Sequence, residues 1–196
     1  MANLTCPFSD QLSFQDTLPL ACEALASPPT FNDFMRFDDR NTSLLKTLAS
    51  EDQSRREPEP SLEALMQEID RLDQKLNLIS ELLADLVRRE VVVPVAQVFR
   101  LSSAGVSFAP HQAPVSAPGT WVKVSLFLLP NVPRPLEFAG KVVATDSAFV
   151  PSDWQTVVFE QVNEVVESSL DRLVFKHHRR EVAMRRAERE AGGVST

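Results

Sequence analysis

Between Ser61 and Arg89 the apolar positions fall in a strict alternation of three and four. Leu62, Leu65, Ile69, Leu72, Leu76, Ile79, Leu83 and Leu86 form one unbroken heptad seam. Leu62, Ile69, Leu76 and Leu83 take the a positions, and Leu65, Leu72, Ile79 and Leu86 take the d positions, which predicts a long helix over 61–89. Ser61 after Pro60 supplies an N-cap, and Arg88 and Arg89 complement the helix dipole at the far end. A seam this regular, preceded by the acidic, Pro-rich connector Glu51–Pro60, points to a partner helix outside the chain's own core. Leu at the a sites, together with Met66 and Val87 at e and Leu82 at g, widens the stripe beyond a two-helix seam. A homotetramer is therefore the expected assembly.

The pattern on either side differs. Residues 1–57 mix short apolar clusters with turn signals, and Asn32 or Asp33 can cap a helix carrying Phe34, Phe37, Leu44, Leu45 and Leu48. A partly helical N-terminal region is expected there. After Glu90 the runs 91–93, Val95–Phe99, Val106–Phe108, Trp121–Leu129, Glu137–Ala144 and Ala148–Val150 are rich in β-branched residues and punctuated by Pro, which predicts a small antiparallel barrel. From Trp154 helical spacing returns through Val158, Val162, Val165 or Val166, Leu170 and Leu173, and runs on into a charged end. The fold class is thus α+β, in three parts: 1–57, the heptad helix 61–89, and a barrel with its terminal helix over 90–190.

Composition narrows the function. The net charge of −7, from 20 Lys and Arg against 27 Asp and Glu, opposes general nucleic-acid binding. The basic stretch Lys176–Glu190 keeps a nucleic-acid-binding regulator as an alternative, although a solvated helix end is the simpler account. No apolar run approaches the roughly eighteen residues of a membrane span, no secretory pattern opens the chain, and a cytoplasmic location is expected. Cys6 and Cys22 read as reduced thiols, with a Cys6–Cys22 bridge as the alternative. His111 lies among prolines, and the adjacent His177 and His178 point about 100° apart on a helix, so they cannot easily share a metal. No nucleophile–base pair, metal set or phosphate-binding Gly loop can be assembled. The expected class is a non-enzymatic protein with no cofactor.

One turn carries more. Arg100-Leu101-Ser102-Ser103-Ala104-Gly105-Val106-Ser107-Phe108 places a Ser-x-x-Gly turn between two β runs. Val122–Pro130 follows as a strand ending in Leu-Pro, then Gly140-Lys141-Val142-Val143, then the helical Leu170–Glu181. In this order the segments resemble the PilZ domain, the bacterial receptor and adaptor module for cyclic diguanylate, over about residues 90–190. Ser102 and Gly105 fall on the last two fixed positions of that family's Asp/Asn-x-Ser-x-x-Gly turn. The plan of helical N-terminal part, heptad helix and barrel is similar to the family's atypical, tetramer-forming branch.

The resemblance also sets out a departure. Family members that bind the nucleotide carry an Arg-x-x-x-Arg segment ahead of the barrel, and here the stretch is Arg88-Arg89-Glu90-Val91-Val92-Val93-Pro94. Arg100 stands where the acidic or amide residue would be. Each lost charge-assisted contact is worth roughly 1.5–3 kcal/mol, and about 1.4 kcal/mol is tenfold in affinity. The resemblance therefore implies an adaptor in cyclic-diguanylate-linked regulation that works through an unidentified protein partner and through self-assembly. The alternative is a receptor with a degenerate site built from Arg88, Arg89, Arg100, Ser102 and Gly105.

Overall fold

The computed structural model describes residues 7–8, 11–51, 63–90, 93–110, 116–128, 134–146 and 148–192. Six strands close into an antiparallel barrel in the order β1-β2-β3-β6-β5-β4, with β1 Phe14–Ala24, β2 Ala96–Leu101, β3 Gly105–Phe108, β4 Trp121–Leu126, β5 Leu136–Val143 and β6 Gln155–Phe159. Three helices, α1 Phe31–Glu51, α2 Glu63–Glu90 and α3 Glu164–Gly192, complete the described chain.

The first strand is drawn from the region expected to be a partly helical N-terminal part, so the barrel is not confined to 90–190. β1 pairs with β2 over Phe14–Pro19 and then with β4 over Leu20–Ala24. It closes the barrel by serving one neighbour with each half. Pro19 sits at the changeover, where its missing N–H breaks no ladder bond, and its carbonyl accepts from Phe127 N at 3.0 Å.

The barrel is filled by Leu20, Phe99, Leu101, Val106, Phe108, Val122, Val124, Leu126, Leu136 and Val157. Val166, Leu170 and Val174 of α3 and Leu44 and Leu45 of α1 join the same core. On α3 these recur at intervals of four, which puts them on one face. The α1 start differs from the expectation of an Asn32 or Asp33 cap. Thr30 is the cap: its Oγ1 accepts from Asp33 N at 3.4 Å, while Asp33 Oδ2 accepts from Thr30 N at 2.9 Å and from Thr30 Oγ1 at 2.7 Å. Those reciprocal bonds, the side-chain bond foremost, hold the Asp33 carboxyl below its ordinary pKa.

Two further expectations are corrected. Gln155–Phe159 is a strand, not the start of a helix, and it is stitched between β3 and β5. The spacing of Val158, Val162 and Val166 mimics a helical face, but Gln161 adopts a left-handed φ of 52° and stops the pattern. Asn163 then caps α3 through Oδ1, which accepts from Val166 N at 2.8 Å. Ala148–Val150 is a turn, in which Phe149 N and Val150 N both donate to the Asp146 carbonyl at 3.1 and 3.2 Å.

Candidate functional site

The Ser-x-x-Gly turn joins β2 to β3. Ser102 is fully buried; its backbone N donates to the Gly105 carbonyl at 2.9 Å, and its hydroxyl donates to the same oxygen at 3.3 Å. A Cβ on Gly105 would collide with the Val157 carbonyl and stand 2.9 Å from Pro7 Cγ. Close backbone approach, and not an unusual torsion, is what demands glycine here.

Arg100 lies beside this turn on β2, with two of its donors engaged within the fold. Nε donates to Ser13 Oγ at 2.8 Å, Nη1 donates to the Phe149 carbonyl at 2.6 Å, and the guanidinium stands 5.4 Å from the centroid of the Phe8 ring. One cation thus ties the segment before β1 and the turn before β6 onto the barrel. Arg88 and Arg89 close α2, with side chains outside the described part of the structure. Arg100, Ser102 and Gly105 are therefore gathered at one hairpin, in an arrangement that holds the hairpin together. The partners of Arg100 lie dozens of residues away in sequence, and no local pattern announces them.

Other chemistry-bearing groups are similarly occupied. Burial, then the neighbouring Glu23 carboxylate, pushes the Cys22 thiol up to about 12, so it stays protonated and weakly nucleophilic. Cys6 and His111 lie outside the described residues. His177 stacks on Phe14 with centroids 4.4 Å apart and planes 21° apart. Among the described residues no group of three or more His, Cys, Asp or Glu could hold a metal ion, and no helix is long and apolar enough to cross a membrane.

The heptad helix stands apart. At 28 residues it is about 42 Å long. Every described side chain on it is exposed, Ile69, Leu72, Leu76, Ile79, Leu83 and Leu86 included, at 40% to 59%. Leu62 and the side chain of Leu65 lie outside the described part. Completing the burial of these six would contribute roughly 5–9 kcal/mol per helix, against association costs of comparable size. An exposed apolar row of this length is unusual on the surface of a monomer.

No curated protein sequence matches the chain. Among solved structures, it is similar to a pathogenic protein from Xanthomonas campestris, described as a new tetrameric PilZ domain self-assembled via an unusual helical bundle. The TM-score is 0.67 at 27% identity, covering 90% of this chain and 93% of that one. The family model for the atypical PilZ domain, cyclic di-GMP receptor, matches residues 44–187. With the closed six-stranded barrel and the long helix ahead of β2, that match identifies the chain as a member of the atypical PilZ domain family.

Proposed function

We propose that this chain is a non-enzymatic adaptor in cyclic-diguanylate-linked regulation, that it works in the cytoplasm, and that it assembles as a homotetramer through α2. The uncovered heptad row of α2 carries the reading. The tetrameric state and helical bundle of the Xanthomonas relative support it. Sedimentation of the intact chain against Leu72→Asp, Leu76→Asp is the test. The mass should drop about fourfold, as expected when a closed symmetric assembly loses its interface, and an unchanged mass would sink the idea.

Direct capture of the nucleotide through Arg88, Arg89, Arg100, Ser102 and Gly105 is the second reading, favoured by the family's description as a receptor. Arg100 speaks against it, because its Nε and Nη1 already hold Ser13 and the Phe149 carbonyl, which commits the guanidinium to tying the fold together. Calorimetry with cyclic diguanylate should show no heat of binding. Clear micromolar binding abolished by Arg100→Ala would reverse the order of the two readings.

A further inference from the structure

An open groove of about 1060 Å³ lies between α1, α3 and β1. Its floor is apolar. Leu18 of β1, Leu48 of α1 and Leu173 of α3 pack against the core from below and stay half-buried. Its rim is cationic, with Lys46 on α1 and Arg172 and Arg180 on α3, all three exposed. Arg172, Lys176 and Arg180 stand four residues apart, so the α3 charges form one row along the groove.

That row calls for a counter-charge. Like charges spaced by four weaken a helix unless something opposes them. Lys176 has contacts of its own. Among the described residues, however, no carboxylate forms an ion pair with Lys46, Arg172 or Arg180. Asp16 is the one acidic residue lining the groove among the described residues. The protein as a whole carries −7, so this is a local concentration of cations on an acidic molecule.

We propose that the groove takes an amphipathic, acidic helix of a partner protein. The helix lays apolar side chains on Leu18, Leu48 and Leu173 and presents Asp and Glu to Lys46, Arg172 and Arg180. The inference rests on the adaptor reading and supplies the chemistry of its partner. Two helical walls over an apolar floor form the kind of groove that receives a helix with anchors at i, i+3, i+4 and i+7. The His177 ring at the groove has one face covered by Phe14, so a nucleotide, with at most the other face to stack on, is one of the ligands that the test must separate from the helix.

The probe is a fluorescein-labelled synthetic helix of about 16 residues, long enough to span the groove at 1.5 Å per residue. It carries Leu anchors and Glu flanks, and a matched control carries Lys flanks. Anisotropy with the full chain should show binding of the Glu peptide that weakens with salt, and no binding of the Lys peptide. Arg172→Ala, Arg180→Ala should weaken it at least about tenfold, as loss of two opposed charges does, with sedimentation mass and thermal midpoint unchanged. Equal binding of both peptides, affinity indifferent to the double variant, or binding of neither peptide overturns the proposal. So does capture of the chain by anionic vesicles, by cyclic diguanylate in this groove, or by a peptide of α2 itself in place of the Glu peptide. The Leu72→Asp, Leu76→Asp chain should still bind the Glu peptide, so failure of assembly and failure of the groove are separate results.

Discussion

Two amphipathic helices follow one another in this chain and meet opposite fates. α1 turns Phe34, Leu44 and Leu45 into the barrel's side and buries them, whereas α2 leaves every described side chain exposed. The apolar content of the two is similar, so hydrophobicity does not separate them. A polar fastener does. The pairing of β5 with β6 begins only at Gly140, which leaves the backbone of Glu137 without a partner on that side. Asn41 of α1 fills the gap as a strand would: its Nδ2 donates to the Glu137 carbonyl at 2.8 Å, and its Oδ1 accepts from Glu137 N at 2.9 Å. Arg40 adds an ion pair to the Glu137 carboxylate at 2.7 Å, exposed enough to contribute only about 0.2–1 kcal/mol. An apolar stripe states that a helix needs covering. The directional groups beside it decide by what.

The sharpest way to break the contrast is to injure both stripes equally. The Leu72→Asp, Leu76→Asp chain provides a background in which the barrel unfolds without assembly. Adding Leu44→Ala to it removes a core side chain from under α1 and should cost about 2–5 kcal/mol. That is a large part of the 5–15 kcal/mol that holds a typical domain together. Adding Leu83→Ala in α2 should change stability by no more than about 0.5 kcal/mol, the usual range for an exposed site. Urea unfolding gives both values. Equal losses would mean that α2 belongs to the barrel's own core.

A smaller effect is expected at the fastener itself. Asn41 is 1% exposed, so Asn41→Ala leaves the Glu137 N–H and C=O buried without their partner. The cost should be about 1–3 kcal/mol, that of orphaning buried polar groups, although the substitution removes almost no apolar surface. Urea midpoints in the same background measure it. A loss below about 0.5 kcal/mol, the scale of an ordinary surface change, would show that apolar contact alone seats α1.

These outcomes bear on what the chain's pattern disclosed. The heptad helix was legible because its spacing is strict over eight positions, and β2 to β5 because β-branched runs alternate with proline. β1 was not, although Phe14, Asp16, Leu18, Leu20 and Cys22 do alternate inward: Asp16, Thr17 and Pro19 interrupt the apolar signal, and the pairings that make it a strand are with β2 and β4, far along the chain. β6 was hidden by valines at helical spacing. The departure at Arg100 was legible as a residue type, while its clasp on Ser13 and Phe149 depends on the fold. The groove was the least legible feature. Its floor and rim come from β1, α1 and α3, and the one local hint was the row Arg172, Lys176, Arg180.

The last and smallest effect is expected where the covered surface gives way to the open groove, at His177. Its ring is half-buried against Phe14, and this burial pushes the imidazole below its ordinary pKa; the Asp16 carboxylate works in the opposite sense, and Lys176 and Arg180 reinforce the drop. In the unfolded chain the same ring titrates near its ordinary value of about 6.5. At pH above that value both states are neutral and the contribution of His177 to stability is complete. As pH falls, the unfolded state takes up the proton first, and stability declines until the folded ring is protonated too. His177→Phe preserves an aromatic ring for the stack and abolishes the titration. Between about pH 7.5 and pH 5.5, a window spanning the ordinary imidazole value, the wild-type urea midpoint should fall more than that of the variant. The difference between the two chains isolates this ring from the carboxylates, which titrate alike in both. Parallel pH profiles would mean that the ring at the edge of the groove is as free to take a proton in the folded chain as in the unfolded one, and that the cover over β1 ends before it reaches α3.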